Sequence, residues 1–423
     1  MDNVVNLEEA GAKRKTRTAA ARKASKPTSK TALVLGGGGL TGGVYEIGAL
    51  RALDLMSVNT SVNDFDIYVG TSAGSFVAAL AANGVTPEEM MRVVVQETPV
   101  PFRDVDVGTV LRPNWRDFVT RSAGLPFRVA SVVRDMASNI GSVSAMDFFV
   151  GLAEALPSGL YSGSGIESYI REVLGDPDRS DDFRQLDREL YIAATDLDSC
   201  ERVVLGSSGW DDVPISTSVQ ASTALPMVYR PVEIKGRDLI DGGIVSTTNL
   251  DIAVEAGAKF IVVVNPLVPY VNDLTKPTAS GEDRKRVSEM GFPHIGYQTF
   301  KLLAYQRLHE MRRQWEDRYP GVDIVLIEPD ANDELMFETS VMNFTSRLDI
   351  ARHGFQSVTE RLSADYPQLK RTAAKHGVEI SATRVRKVVK HFTAEEEEKA
   401  RAWRRILEQT TSTLLRQSAG ERA

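Results

Sequence analysis

The chain has 423 residues, of which 42% are apolar, enough for one large α/β domain or two ordinary ones. Its formal net charge of −7 is unevenly distributed: residues 1–30 contain eight Lys or Arg and three acids and carry +5, so the rest carries −12. An acidic body has no general attraction for nucleic acid, although the basic arm could touch phospholipid headgroups. A single cysteine, Cys200, excludes an internal disulfide and a cysteine-rich metal site.

The first 30 residues are predicted to form a disordered basic tail, because Lys, Arg, Ala, Ser and Thr without periodic apolar residues cannot build a core. No apolar segment follows them, as a secretory signal peptide would require. The most apolar short run, Phe260–Val264, is far shorter than a membrane-spanning helix. We therefore expect a cytoplasmic protein whose contact with a membrane would be peripheral.

Two strand–turn–helix units come first along the chain. Residues 32–35 form a predicted buried strand that runs into the glycine turn 36–39 and then into a helical pattern. A second predicted strand, 66–69, is followed by the turn 70–74 and an apolar helix face. Two consecutive units of this kind favour a parallel sheet with helices on its faces.

The later sequence predicts an insertion, the rest of the sheet and a C-terminal extension. Strand signals stop at about 99–160, where aromatic residues are spread through helical sequence. Beyond the last strand-like run, helical segments are predicted at 340–362, and we expect the elements after that strand to be peripheral. The strand-like runs are 190–194, 202–205, 231–234, 238–240, 260–264 and 322–327. The predicted division is a basic tail at 1–30, an α/β domain at 31–330 with the insertion, and a helical extension at 331–423.

The glycine turn after the first strand could bind negative charge through its unhindered backbone N–H groups. A P-loop requires Lys and then Ser or Thr after the last glycine, whereas Gly42 is followed by Gly43 and Val44. Gly37, Gly39 and Gly42 have the G-x-G-x-x-G spacing of a dinucleotide site, but the next strand does not end in the acidic residue that holds a ribose. The third interpretation is an oxyanion hole, which requires a nucleophile nearby.

A candidate nucleophile lies in the second turn. Gly70, Ser72 and Gly74 form a G-x-S-x-G element between a predicted strand and helix, the context of a nucleophile elbow. A glycine-rich turn that merely contains serine is the alternative. Because both turns would lie at one end of adjacent parallel strands, Ser72 and the amides of 36–39 could face the same carbonyl group.

A serine hydroxyl needs a base to accept its proton. Asp241 has a suitable setting, because it ends a short predicted strand beside Gly242 and Gly243, which allow close approach. The Asp-Gly pair could also simply form a turn. His294 lies in loop-like sequence, and the other histidines are expected to be surface residues in helical or charged sequence. None of the five has a recognisable catalytic setting: His294, His309, His353, His376 and His391.

The glycine turn, the serine elbow and the Asp-Gly-Gly element, in this order, resemble the patatin-like phospholipase family over roughly residues 31–267. The resemblance implies a three-layer α/β/α fold with a mostly parallel central sheet, and a Ser–Asp dyad in place of a Ser–His–Asp triad. It assigns the nucleophile to Ser72 and the base to Asp241. The implied oxyanion hole consists of Gly37, Gly38 and Gly39, supported by the motif glycines Gly36, Gly42, Gly70, Gly74, Gly242 and Gly243.

Two further stretches, 193–197 and 221–226, are similar to the family, and the second precedes the catalytic aspartate in related sequences. Thr41 departs from the family pattern, because members usually carry Arg or Lys just before the last glycine of the oxyanion motif. The missing cation could weaken catalysis or alter headgroup preference. We expect the chemistry to survive, since backbone amides would supply the main oxyanion donors.

The sequence therefore predicts a phospholipase-type lipid ester hydrolase that forms an acyl-enzyme and needs no cofactor, metal or nucleic acid. A dinucleotide-dependent oxidoreductase using Gly37, Gly39 and Gly42, and a catalytically silent patatin-like scaffold, are the alternatives. The aromatic insertion could line an acyl-binding wall or pack in the core. The C-terminal helices could rest on an anionic membrane, pack on the domain or form a homo-oligomer. Their apolar stripe is Val385, Val388, Val389 and Phe392.

Overall fold

The computed structural model describes residues 29–95, 112–114, 158–275, 284–338, 346–381 and 383–384. Residues 1–28 of the predicted basic tail, nearly all of the insertion and the C-terminal apolar stripe therefore lie outside the described residues. A mostly parallel eight-stranded sheet forms the centre of the fold and helices flank it, as predicted. None of the described helices is both long and apolar enough to cross a bilayer.

The strands within these ranges are β1 Thr31–Leu35, β2 Ile67–Thr71, β3 Gly159–Tyr161, β4 Glu189–Asp196, β5 Arg202–Leu205, β6 Met227–Tyr229, β7 Val232–Ile234, β8 Arg237–Asp241, β9 Phe260–Val264 and β10 Asp323–Ile327. The α-helices are α1 Gly39–Met56, α2 Ala73–Ala82, α3 Pro87–Val95, α4 Ser164–Leu174, α5 Ile215–Ser222, α6 Leu250–Glu255, α7 Phe292–Arg312, α8 Trp315–Arg318, α9 Glu334–Glu338, α10 Arg347–Ala364 and α11 Tyr366–Lys375.

The sheet brings the ends of two distant strands together. Strands β10, β9, β1, β2 and β4 are parallel neighbours, whereas β5 and β8 both pair antiparallel with β4. On β4, Ala193 lies opposite Thr71 of β2, and Ala194 lies opposite Asp241 of β8. Because β5 occupies the other edge of β4 at both positions, β2 and β8 share one edge. Their carboxyl ends therefore meet.

Both faces of the sheet are buried. Successive residues of a strand point to opposite faces, so Leu33 and Leu35 of β1 pack in one core while Ala32 and Val34 pack in the other. Helices α1, α2 and α10 contribute to the first core, and α6, α8 and Leu308 of α7 contribute to the second. This burial explains the continuous apolar runs of β1 and β9, which are typical of parallel strands covered on both faces.

Helix α10 is an integral part of this core, so the expectation that the elements after the last strand are peripheral is wrong for it. It packs on α1 through two glycines. A Cβ atom on Gly48 would lie 2.4 Å from the carbonyl oxygen of Ala351. One on Gly354 would lie 2.6 Å from the carbonyl oxygen of Tyr45. Contacts through glycine carry no apolar signal in the sequence, which is why the pattern missed them.

The predicted strands agree with the observed ones to within two residues at either end. Strands β3 and β6 were not predicted, because each has only three residues and the two form a small sheet of their own. The loop expected around His294 is also wrong, since this residue lies in the first turn of α7. The sequence Phe292-Pro293 places a proline at the start of that helix, where its missing N–H has no cost.

Candidate active site

Ser72 occupies a tight turn between β2 and α2. Its backbone has φ 54° and ψ −127°, a left-handed region that residues with a Cβ atom rarely adopt. A Cβ on Gly70 would lie 2.4 Å from the Cα of Ser75. One on Gly74 would lie 2.4 Å from the carbonyl oxygen of Leu35. Both motif glycines are thus required by close approach, and the turn has the strained geometry of a nucleophile elbow.

The Ser72 hydroxyl donates a hydrogen bond of 2.6 Å to Oδ2 of Asp241. The other carboxylate oxygen, Oδ1, accepts the N–H of Gly243 at 2.7 Å. A Cβ on Gly242 would lie 2.2 Å from the carbonyl oxygen of Ala193, so only glycine fits where the chain leaves β8. Ser72 and Asp241 are both buried, and both oxygens of the carboxylate accept hydrogen bonds.

Burial raises the pKa of Asp241 from 3.8 to about 6, although the hydrogen bonds from Ser72 and Gly243 act in the opposite direction. At neutral pH this side chain is therefore mostly a carboxylate, and it is more basic than an exposed aspartate. A buried carboxylate that already accepts the hydroxyl proton in a hydrogen bond is placed to act as a general base.

The glycine turn lies beside Ser72. A Cβ on Gly37 would lie 3.3 Å from the Cβ of Ser72. The N–H of Gly37, however, donates to the carbonyl of Thr247 at 3.0 Å. Gly38 precedes α1 and Gly39 is its first residue, so their N–H groups belong to a helix N-terminus, where no acceptor within the helix is available. Of the three predicted donors, Gly38 and Gly39 are the better placed.

The remaining glycines of this motif connect the two turns and the loop after β9. The carbonyl of Gly36 accepts the N–H of Gly74 at 3.1 Å, which joins the glycine turn to the elbow. A Cβ on Gly42 would lie 3.0 Å from Cγ of Pro266. Gly42 therefore packs closely against the loop after β9. Thr41, where related proteins carry a cation, is buried in the first turn of α1.

Two supporting side chains were not assigned a role from the sequence. The Ser222 hydroxyl accepts the backbone N–H of Ser72 at 2.9 Å. The Thr195 hydroxyl donates to the carbonyl of Asp241 at 3.0 Å. Both residues lie in the two further stretches that resemble the family, which is the signal that could have identified them.

The loop after Asp241 holds the other site elements in place. Nδ2 of Asn249 donates to the hydroxyl of Thr71, the residue before the nucleophile, at 2.9 Å. The carbonyl of Thr247 accepts from Gly37, as described above. One loop thus contacts Asp241, the strand that leads to Ser72 and the glycine turn. No local sequence pattern predicts these contacts, because they join segments that are far apart in the chain.

One histidine takes part in a Ser–His–Asp chain away from the dyad. Nδ1 of His376 lies 2.6 Å from Oγ of Ser29, and Nε2 lies 2.8 Å from Oδ2 of Asp323. Its ring stacks on Phe260, with 5.1 Å between the ring centroids. Ser29 precedes β1, while Asp323 and Phe260 are the first residues of β10 and β9. This chain therefore lies at the amino end of the parallel strands.

Other histidines also pair with carboxylates, so the expectation of simple surface residues is wrong for them. His309 lies 3.1 Å from Glu328, and His353 contacts Asp333. No hydrogen bond described for these residues or His376 reaches the dyad, while His391 lies outside the described residues.

A second fully buried carboxyl group, Glu46, lies on α1 one turn after Gly42. Neither of its oxygens has a hydrogen-bond partner among the described residues. Burial raises the pKa of Glu46 well above its ordinary value, which favours the uncharged form of this side chain. Within the described ranges, no group of three or more His, Cys, Asp or Glu side chains could hold a metal ion.

The family model of the patatin-like phospholipases matches residues 33–254, which contain the glycine turn, Ser72 and Asp241. The chain belongs to the patatin-like phospholipase family. A curated relative, "Probable lipid hydrolase 463L" of Invertebrate iridescent virus 6, is 20% identical over 230 residues; the match covers 54% of this chain and 65% of that protein. The match therefore spans slightly less than two thirds of that relative's length.

Two solved structures are similar to this patatin-like chain. VipD from Legionella pneumophila has 16% sequence identity to this chain and a TM-score of 0.34. The match covers 80% of this chain and 67% of the VipD chain. The type III effector ExoU of Pseudomonas aeruginosa has 14% identity and a TM-score of 0.31, covering 80% of this chain and 54% of its own. Both TM-scores are low, and neither similarity bears on the details of the site.

Proposed function

We propose that the protein hydrolyses carboxylic ester bonds of lipids, with Ser72 as nucleophile and Asp241 as base. The observation that carries the proposal is the 2.6 Å hydrogen bond from the Ser72 hydroxyl to a buried carboxylate whose pKa is about 6. The strained backbone of Ser72 and the neighbouring helix N-terminus support it. Membership of the patatin-like phospholipase family supports phospholipid as the substrate class.

In the first step, the Ser72 hydroxyl loses its proton to Asp241, and its oxygen forms a bond to the ester carbonyl carbon. The carbonyl oxygen becomes an oxyanion, for which the N–H groups of Gly38 and Gly39 are the donors we propose. As the carbonyl re-forms, the bond to the alcohol oxygen breaks. The leaving alcohol takes the proton from Asp241, and the acyl group stays on Ser72.

In the second step, Asp241 accepts a proton from water while the water oxygen attacks the acyl carbon. Collapse of this intermediate breaks the bond to Ser72 and releases the fatty acid. The proton returns from Asp241 to the serine oxygen, so the resting dyad is restored. No step needs a cation at position 41, because backbone N–H groups stabilise the oxyanion.

We place the lipid surface at the end of the sheet that carries the dyad. The loops after β8 and β9 expose Ile244, Val271 and Leu274, which are 43%, 57% and 48% exposed. Apolar side chains around the entrance to a lipid-hydrolysing site lose little by entering an interface. A cytoplasmic protein with peripheral membrane contact is the setting we propose. Contact or self-association through the C-terminal stripe would involve residues outside those described.

The direct test is hydrolysis of phosphatidylcholine vesicles, with released fatty acid measured by mass spectrometry. Ser72→Ala should lower the rate by about 10³-fold or more, because the nucleophile is removed. Ser29→Ala is a matched control at the opposite end of the sheet and should stay within about twofold of wild type. Hydrolysis that persists in folded Ser72→Ala protein would contradict the assignment.

The two alternative functions give different results in simple assays. An oxidoreductase would show a rise in melting temperature with NAD⁺ or NADP⁺, whereas we expect no change. A catalytically silent scaffold would not react with a fluorophosphonate, whereas we expect the wild-type protein to be labelled.

A further inference from the structure

The backbone N–H of Ser72 needs a partner that neither neighbouring element supplies. Strand β2 ends at Thr71 and helix α2 begins at Ala73, so Ser72 belongs to neither. Its carbonyl accepts the backbone N–H and the hydroxyl of Ser75, at 2.9 and 2.6 Å. Its N–H donates to the Ser222 hydroxyl oxygen at 2.9 Å. A left-handed serine persists only where surrounding contacts hold it.

The Ser222 hydroxyl is fully used in this arrangement. While its oxygen accepts from Ser72, its hydrogen is donated to the carbonyl of Ala193 at 2.6 Å. Ala193 is the residue of β4 that lies opposite Thr71, and Ala194 beside it lies opposite Asp241. Ser222 is completely buried, so water cannot replace either hydrogen bond. It therefore joins the elbow to the point on β4 where the two dyad strands meet.

The same segment also holds the backbone of the base. Two residues after Ser222, the carbonyl of Ala224 accepts the N–H of Asp241 at 3.0 Å. Residues 222–224 thus accept the backbone N–H groups of both dyad residues, although those residues are 169 positions apart in the chain. A displacement of this segment would change the separation between the hydroxyl and the carboxylate.

We propose that Ser222 is a positioning residue that sets the separation between the Ser72 hydroxyl and the Asp241 carboxylate by fixing the backbone of the nucleophile. This inference rests on the proposed function, because it assigns Ser222 a role in the same reaction. Ser222 does not contact the ester. Its effect is exerted through Ser72, with Ala193 as the fixed point.

Helix α5 offers a matched control for a purely structural serine. Ser218 lies one turn before Ser222, is also completely buried and also donates to a backbone carbonyl, that of Pro214, at 2.9 Å. No hydrogen bond described for its side chain reaches the dyad. Replacing either serine by alanine removes one buried hydroxyl from the same helix, but only one of the changes frees the N–H of Ser72.

The experiment compares Ser222→Ala and Ser218→Ala in the full chain by steady-state hydrolysis and by the rate of fluorophosphonate labelling. We expect Ser222→Ala to lower kcat and the labelling rate by about 10- to 100-fold with KM within about twofold, since a misplaced nucleophile slows the chemical step. Ser218→Ala should keep both rates within about twofold of wild type. Melting temperatures show whether both variants are folded.

The pH profile separates a positioning role from general destabilisation. The hydrogen bond from Ser72 lowers the pKa of Asp241, so its loss in Ser222→Ala should raise the pH at which kcat/KM falls on the acid side. Ser218→Ala should not change the pH of this acid limb, at which kcat/KM falls. Among the charged groups on β4 and β8, Asp196 and Arg237 pair with each other at 3.2 Å, while Asp238 is exposed. Burial raises the pKa of Glu46, which favours its uncharged form.

Ser222→Cys keeps the shape of the side chain with a larger atom in place of the oxygen, and it forms only weak hydrogen bonds, so its kcat should lie between those of wild type and Ser222→Ala. If Ser222→Ala does not fold, a loss of about threefold or more in Ser222→Cys supports the inference, and a wild-type rate overturns it. Equal losses in the Ser222 and Ser218 alanine variants with an unmoved acid limb also overturn it. An unreactive, unlabelled wild-type protein would instead contradict the proposed function itself.

Discussion

Two serine sites lie at opposite ends of the same sheet. At the amino end, Ser29, His376 and Asp323 form a hydrogen-bonded chain with the three residue types of a catalytic triad. At the carboxyl end, Ser72 contacts Asp241 with no histidine between them. By residue type alone, the first site would be the stronger candidate for a hydrolase. By geometry, the second site is the stronger candidate.

The difference lies in what surrounds each serine. Ser72 has a strained backbone, a helix N-terminus beside it and a base whose pKa burial has raised to about 6. Ser29 precedes the first strand, and its histidine connects it to Asp323, the first residue of the last strand. The arrangement around Ser72 can activate a hydroxyl and stabilise an oxyanion, whereas the arrangement around Ser29 ties α11 to the sheet. A hydrogen-bonded chain alone does not make an active site.

The largest expected effect on activity comes from replacing Asp241, with Asp323 as the control. Asp241→Asn keeps the shape of the side chain but removes the base, so kcat/KM should fall by about 10³-fold. Asp323→Asn should leave it within about twofold of wild type. Initial rates of ester hydrolysis measure both. A comparable loss in the two variants would mean that the amino-end chain takes part in catalysis.

A smaller loss is expected from crowding the glycine turn. A Cβ on Gly38 would lie 2.9 Å from both Cα of Gly42 and Cγ of Pro266, so Gly38→Ala must shift the turn. Displacing an oxyanion donor should lower kcat by about 10²-fold. Gly43→Ala, whose Cβ would make an ordinary 3.4 Å contact with Ala73, is the control. Unchanged kcat in folded Gly38→Ala would remove the turn from the mechanism.

The pH dependence of kcat/KM distinguishes an aspartate base from a histidine base. Asp241 must be a carboxylate to accept the proton, so kcat/KM should rise about tenfold per pH unit below about 6 and level off above it. Because this rise at acid pH reflects the titration of Asp241, His376→Gln should not change the pH at which it occurs. Rate measurements in both proteins from acid to neutral pH test this, and a limb that disappears with His376 would assign the base to the histidine.

The smallest effect on activity is expected from the histidine itself. His376→Ala removes a buried ring and its contacts with Ser29, Asp323 and Phe260, so it should lower the free energy of unfolding by about 1 to 3 kcal/mol. Turnover of the folded variant should stay within about twofold of wild type. Denaturant unfolding and hydrolysis, measured on the same preparation, separate the two effects.

The sequence predicted the strands and singled out Ser72 and Asp241, which the structure places in contact, because both predictions depend on local patterns. Buried parallel strands need apolar runs, and the elbow and the Asp-Gly-Gly element need particular residues at fixed spacing. The contacts around them could not be predicted in the same way. Ser222 reaches Ser72 across 150 residues, and Thr247 takes up the N–H of Gly37 from a distant loop. Such contacts depend on which edge of β4 receives β8.

The central claim is that the reactive serine of this patatin-like protein is Ser72. Labelling the wild-type protein with a fluorophosphonate and locating the adduct by peptide mass spectrometry tests it most directly. We predict a single adduct on the peptide that contains Ser72, absent from Ser72→Ala and present in Ser29→Ala. An adduct on Ser29, or labelling that persists in Ser72→Ala, would contradict the assignment.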